Sequence, residues 1–171
     1  MSVLVRTLES IDDVRGLEAL LRDYIRFVCD DLMRASGVSF DADVLLANTL
    51  GSLEKVVPPN GFTFVAEGAD GTRLGMVFLR PSGPDAMEIK RLYVPPVGRG
   101  RGVGRALVEA AIARSRQVGA KELRLDTTRN LEAAIALYRS YGFEDCAPYP
   151  ESDHYEDPVL GPYLVFMAKQ L

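Results

Sequence analysis

Glycines at positions 98, 100, 102 and 104, interleaved with Arg99 and Arg101, form a turn suited to holding an anion. Glycine admits backbone conformations closed to other residues, so successive N–H groups in such a turn can converge on one concavity. The apolar run Leu92-Tyr93-Val94 before it predicts the end of a strand, and the residues from Gly102 onward predict a helix. The first N–H groups of that helix and the positive end of its dipole would face the same place. Between Ile89 and Val108 the chain carries five cations, Lys90, Arg91, Arg99, Arg101 and Arg105, and no acid, although its overall formal charge is -4. A positive field so local within an acidic chain fits a bound ligand better than general solubility. A solvated surface turn has the same composition, and the strand and helix on either side favour the receptor.

Spacing narrows the ligand. A dinucleotide fingerprint needs glycine or alanine five residues after its first glycine. Counting from Gly98, Gly100 and Gly102, that position holds Val103, Arg105 and Leu107, so the pattern fails each time. No Gly-Lys-Ser/Thr follows, which excludes a nucleoside-triphosphate loop. What remains is Arg99-x-x-Gly102-x-Gly104, preceded by an apolar strand and followed by Ala133-Ala134-Ile135-Ala136-Leu137-Tyr138-x-x-x-Gly142-Phe143. Together these segments, over residues 86 to 146, resemble the core of the GNAT acetyltransferases, whose coenzyme loop reads Gln/Arg-x-x-Gly-x-Gly/Ala.

The resemblance implies a fold: an α/β domain of the GNAT-like acyl-CoA N-acyltransferase type, with a mixed central sheet of about seven strands flanked by about four helices. It also implies a reaction, transfer of the acetyl group of acetyl-CoA to a primary amine of a small molecule or protein by direct attack. No Cys or Ser sits in a nucleophile motif that would suggest a covalent enzyme intermediate. A non-catalytic acyl-CoA sensor, a degenerate module of the same family, is the alternative. Members are often dimers, and the sequence leaves the oligomeric state open.

Roles follow by the same resemblance. Backbone N–H groups from Val97 to Gly104 would hold the pyrophosphate, through Val97, Arg99, Gly100, Arg101, Gly102, Val103 and Gly104, with charge from Arg99 and Arg101. The strand end Leu92, Tyr93 and Val94 would meet the pantetheine amides through the backbone of Leu92 and Val94, as an added strand would. Tyr138 is the family-type acid for the departing thiolate, or else an aromatic packed in the core. The N–H of Leu92 would meet the oxyanion. Glu88, four residues before Leu92 and so expected on the same strand face, is either a base acting through water or an ion-paired residue beside Lys90. Many members place Asn seven residues before the tyrosine, where this chain has Leu131. Asn130, one position earlier, either contacts the coenzyme or acceptor or caps the next helix.

The elements needed to position these groups are legible along the chain. Alternation from Val3 predicts a first strand, and Ser10-x-x-Asp13 a capping box opening a helix that runs to about Met33 on the stripe Val14, Leu17, Leu21, Tyr24 and Val28. A second helix is predicted from Asp41 to Val57, a hairpin from strands 62–67 and 73–80, then strand 86–94, helix 102–118 ended by Gly119, strand 122–127 and helix 131–141. Residues 143–148 and 160–169 predict the last two strands, joined by the acidic run Glu151 to Asp157, which with Tyr24, Asp30 and Asp31 could draw a cationic amine.

Composition bounds the rest. At 171 residues and 47% hydrophobic, the chain has the size of one ordinary domain, here expected to span 1–171. Only Cys29 and Cys146 are present, and the single His154 lies among acids, so neither a disulfide framework nor a metal site is expected. The acidic charge and lack of Trp argue against nucleic acid. Without a membrane-length apolar run or a basic leader before Val3, a cytoplasmic protein without membrane contact is expected.

Overall fold

Strand β1 (Leu4–Leu8) gives way to Ser10, whose hydroxyl accepts the N–H of Asp13 at 3.1 Å and so opens helix α1 (Ile11–Arg15). The computed structural model describes residues 3–171; Met1 and Ser2, on which the reading of a missing leader partly rests, lie outside the described residues. The single helix predicted here is two, because the chain turns at Gly16 and Leu17 before α2 (Glu18–Ser36). Leu17 donates to the Val14 carbonyl at 2.9 Å, a tightened turn that brings its fully buried side chain into the core. Likewise α3 (Ala42–Leu50), capped by the Asp41 carboxylate, stops short of Val57, and Leu53–Val56 forms a separate 3-10 turn.

β2 (Phe62–Glu67) and β3 (Arg73–Pro81) make the predicted hairpin, and β4 (Ala86–Tyr93) adds antiparallel to β3. Helix α4 (Val103–Gln117) crosses to β5 (Glu122–Thr128), which pairs with β4 in parallel. Helix α5 (Glu132–Ser140) then leads to β6 (Glu144–Asp145) and β7 (Leu164–Gln170). Both last strands are shorter than predicted. After Cys146 the chain leaves the ladder and the Tyr149 side chain is buried, and Gly161–Tyr163 winds into a 3-10 turn containing Pro162.

The result is a mixed seven-stranded sheet in the order β1-β2-β3-β4-β5-β7-β6 with five helices. One face packs Leu107, Val108 and Ala111 of α4 and Ile135 of α5 on Val77, Leu79, Ile89 and Leu125. The other packs Leu17, Leu21, Ile25 and Leu46 on Val65, Met76 and Phe78. No helix among the described residues is long and apolar enough to cross a membrane.

Candidate functional site

The parallel ladder between β4 and β5 runs only from Ala86↔Glu122 to Ile89↔Leu125, although both strands continue. β5 carries on against β7 as far as Thr128↔Leu164, so the two central strands part and the edge of β4 from Lys90 to Tyr93 is left without a β5 partner. Toward β3 the register slips as well: Phe78 faces Lys90 while Met76 faces Tyr93, so β4 holds one extra residue. The bulge lies at Arg91, whose φ of 53 is left-handed and uncommon for a residue with a side chain.

That extra residue corrects one expectation. Met87 and Ile89 pack on the α4 side, and beyond the bulge Leu92 and Val94 do too, while Tyr93 joins the α2 side. Glu88 therefore lies on the face opposite Leu92 despite the four-residue spacing. The Tyr93 ring stacks against α2, 5.7 Å from Tyr24 and 6.1 Å from Phe27, leaving only its backbone for the opening.

At the glycine-rich turn, Gly102 is the N-cap of α4 at φ 76 and Gly100 has φ 71. A Cβ at either would meet nothing within 4 Å, so conformation rather than crowding requires these glycines. No side chain caps α4, and among the described residues the N–H groups from Gly100 to Arg105 have no backbone acceptor. Arg101 and Arg105 are exposed around them. Free donors at the positive end of a helix, ringed by guanidinium groups, are chemically matched to a phosphate.

Gly98 and Arg99 stand apart from this cradle. Their N–H groups bond to the carbonyls of Pro95 at 2.8 Å and Pro96 at 3.3 Å, and the exposed Val97 belongs to the same tight turn. Gly98 is glycine because a Cβ would fall 2.1 Å from the Leu74 carbonyl oxygen. Arg99 folds back, its Nε donating to the Val94 carbonyl at 3.3 Å, which occupies an acceptor expected for pantetheine. The stretch of free donors thus starts at Gly100, not Val97.

Tyr138 stands on α5 within the core cluster of the α4 face. Its ring meets Phe143 edge-on, with centroids 5.7 Å apart, and the residue is buried. Burial first, then the nearby Tyr24 and Asp126, push its hydroxyl well above the usual phenol range. Tyr24, on the opposite face, is raised by its own burial. Asn130 is exposed and caps nothing, since α5 has Leu131 as its N-cap and no side-chain hydrogen bond there. Loss of a true cap costs about 1 kcal/mol. Asn130→Ala should therefore leave the melting temperature unchanged in a thermal scan, and a drop matching that cost would restore the capping role.

Glu88 is fully buried in a polar cluster on the α2 and α3 side. Its carboxylate accepts from Arg80 Nε and from the Tyr149 hydroxyl, each at 2.8 Å, with Lys90 Nζ at 3.6 Å. Lys90 also reaches Asp126 at 3.3 Å and Asp153 at 3.5 Å, and Arg80 reaches Asp153 at 3.0 Å. Burial alone would lower the Lys90 pKa, but Asp126, Glu88 and Asp153 outweigh it and hold the ammonium charged. Glu88→Ala would leave Arg80 and Lys90 short of a partner in a buried place, and we expect it to cost about 3–5 kcal/mol in denaturant unfolding. A loss below about 1 kcal/mol, the size of an exposed pair, would show that the cluster is not closed from water.

Much of the acidic run is engaged within the protein, while Glu156 is exposed with no ion-pair partner among the described residues. Asp153 is engaged by Arg80 and Lys90, Glu151 by Arg124, and Asp157 by the N–H groups of Val159 and Leu160. Arg80, Asp126 and Tyr149 were not singled out from the sequence. The available signal was Glu88 and Lys90 alternating with Met87 and Ile89, which places two charges on one face of a core strand. Next to the cluster, α3 and the turn after it enclose, with β3 and β4, a pocket of about 200 Å³ that Thr49, Lys55, Phe78, Arg80, Arg91 and Asp153 help to line.

Residues 26–143 match the family model described as the Acetyltransferase (GNAT) family. An uncharacterized N-acetyltransferase of Schizosaccharomyces pombe is 34% identical over 160 residues, which cover 93% of this chain and 89% of that protein. Among solved structures, an acetyltransferase of the GNAT family from Staphylococcus aureus superposes with a TM-score of 0.73 at 17% identity, over 98% of this chain and 99% of its own. The PaiA N-acetyltransferase of Thermoplasma acidophilum, solved in complex with coenzyme A, gives 0.67 at 20% identity over the full length of both. At such identities these structures bear on the fold.

Proposed function

Since the chain belongs to the GNAT acetyltransferase family, we propose that it transfers the acetyl group of acetyl-CoA to a primary amine of a small molecule or protein. The observation that carries this reading is the parting of β4 and β5 after Ile89↔Leu125, together with the free donors at the start of α4. A slot between parallel strands can accept an extended amide-bearing chain by hydrogen bonding, while the helix N-terminus takes its phosphates.

In this reading the neutral amine attacks the thioester carbonyl carbon, and the Leu92 N–H meets the oxyanion that develops. Collapse of the tetrahedral intermediate breaks the carbon–sulfur bond, and Tyr138 gives its proton to the departing thiolate. The proton lost by the amine passes to water. Glu88, with no exposed surface and both oxygens engaged, acts as a positioning residue that fixes Lys90 and Asp153 at the pocket wall. Arg101, Val103 and Gly104 frame the pyrophosphate with Gly100 and Gly102, and Asn130 stays free to meet the coenzyme. The unpaired Cys29 and Cys146 support a cytoplasmic setting.

Calorimetric titration with acetyl-CoA, with NAD and ATP as controls, followed by thiol release with an amine panel, tests the proposal. Selective micromolar binding and amine-dependent thiol release are expected. Failure to bind would overturn the coenzyme site, and binding without release from any amine would favour the sensor.

A further inference from the structure

We infer that the acceptor carries a carboxylate as well as its amine, the carboxylate being held by Arg91. This rests on the acetyl-transfer reading above and names the acceptor class for the same site. The pocket beside the opening is lined by the cations Lys55, Arg80, Lys90 and Arg91 and by one acid, Asp153. Arg80 and Lys90 are matched by Glu88, Asp126 and Asp153. Arg91 and Lys55 face the same pocket with no acidic partner among the described residues.

Arg91 is also built into place. Its Nε and Nη2 donate to the buried Thr49 hydroxyl at 3.3 and 2.9 Å, and that hydroxyl donates to the Leu45 carbonyl at 2.9 Å. The left-handed backbone at Arg91 costs about 1–2 kcal/mol for a residue with a Cβ, so this conformation is held by its surroundings. A guanidinium fixed by one edge keeps N–H groups for a second partner, and its planar fork matches a carboxylate. Arg91 directly precedes Leu92, whose N–H is assigned to the oxyanion. A carboxylate on Arg91 therefore sets a neighbouring amine near the thioester carbon, while the pocket's acid, Asp153, stands on its β3 and loop side. At about 200 Å³ the pocket suits an acceptor of amino-acid size rather than a bulky body.

The test uses the intact enzyme with acetyl-CoA and three matched acceptor series: the common L-amino acids, their primary amides, and the amines left on removing the carboxylate. Thiol release is expected with kcat/KM for the best free amino acid at least about tenfold above its amide and its amine, and Arg91→Gln should remove most of that difference. Amides or amines used equally well or better would overturn the inference and leave the acetyl-transfer reading standing. A preference for the acid that survives Arg91→Gln would overturn the assignment to Arg91. Absence of release from all three series by an enzyme that releases thiol with another amine or a peptide would overturn this inference alone, whereas absence of release from those as well would overturn the acetyl-transfer reading and this inference with it.

Discussion

Tyr138→Phe is expected to lower turnover at least about tenfold while leaving coenzyme affinity nearly intact, since general acids contribute about a hundredfold or more and water can replace part of that. The ring fills the same space against Phe143 in either residue, so packing should not change. Desolvation leads the causes that raise the hydroxyl's pKa, with only Tyr24 and Asp126 behind it, so no protein hydrogen bond accounts for the shift. Deleting that hydroxyl therefore removes chemistry rather than structure. The pH dependence follows with its sign: a raised pKa keeps the acid protonated through neutral and moderately alkaline pH, and activity through this group is lost only as pH climbs past the usual phenol value. Steady-state kinetics with calorimetric binding of the coenzyme separates the two effects, and unchanged turnover would retire Tyr138 as the acid.

What the sequence made legible follows from how locally each feature is specified. The strand, turn and helix around Arg99-x-x-Gly102-x-Gly104 depend on neighbours in the chain, and they stand close to where the pattern puts them. The parting of β4 from β5 is written in no local pattern, because it depends on β5 turning its last residues to β7. The bulge at Arg91 was hidden for a related reason: arginine gives no signal of a left-handed backbone, and one extra residue reverses the face of all that follows. Gly98 was read as a phosphate glycine although its absent side chain serves a close approach to the Leu74 carbonyl. Composition does not separate a glycine needed for its dihedral angle from one needed for space. The cluster around Glu88 draws Tyr149 and Asp126 from distant segments, and the break at Leu17 answers to the core rather than to helix propensity.

The glycine cradle allows a sharper experiment, because Gly102 can be replaced by two residues that share one cost and differ in the other. Its φ of 76 means that any side chain incurs the left-handed penalty, about 1–2 kcal/mol, so Gly102→Ala and Gly102→Glu should lose similar stability. No atom lies within 4 Å of a Cβ at this position, hence the methyl of alanine meets no protein and should weaken the coenzyme only modestly. The glutamate instead sets a carboxylate at the mouth of the free N–H groups, where a pyrophosphate would lie. Two like charges 4 Å apart near a protein surface repel by about 4 kcal/mol, which corresponds to a loss of roughly a hundredfold to a thousandfold in affinity. Calorimetric titration of both variants with acetyl-CoA, alongside thermal melts, distinguishes strain from repulsion. Equal weakening by Ala and Glu would mean that the backbone conformation alone matters. A folded Gly102→Glu protein that bound the coenzyme like the parent would remove the α4 turn from the site altogether.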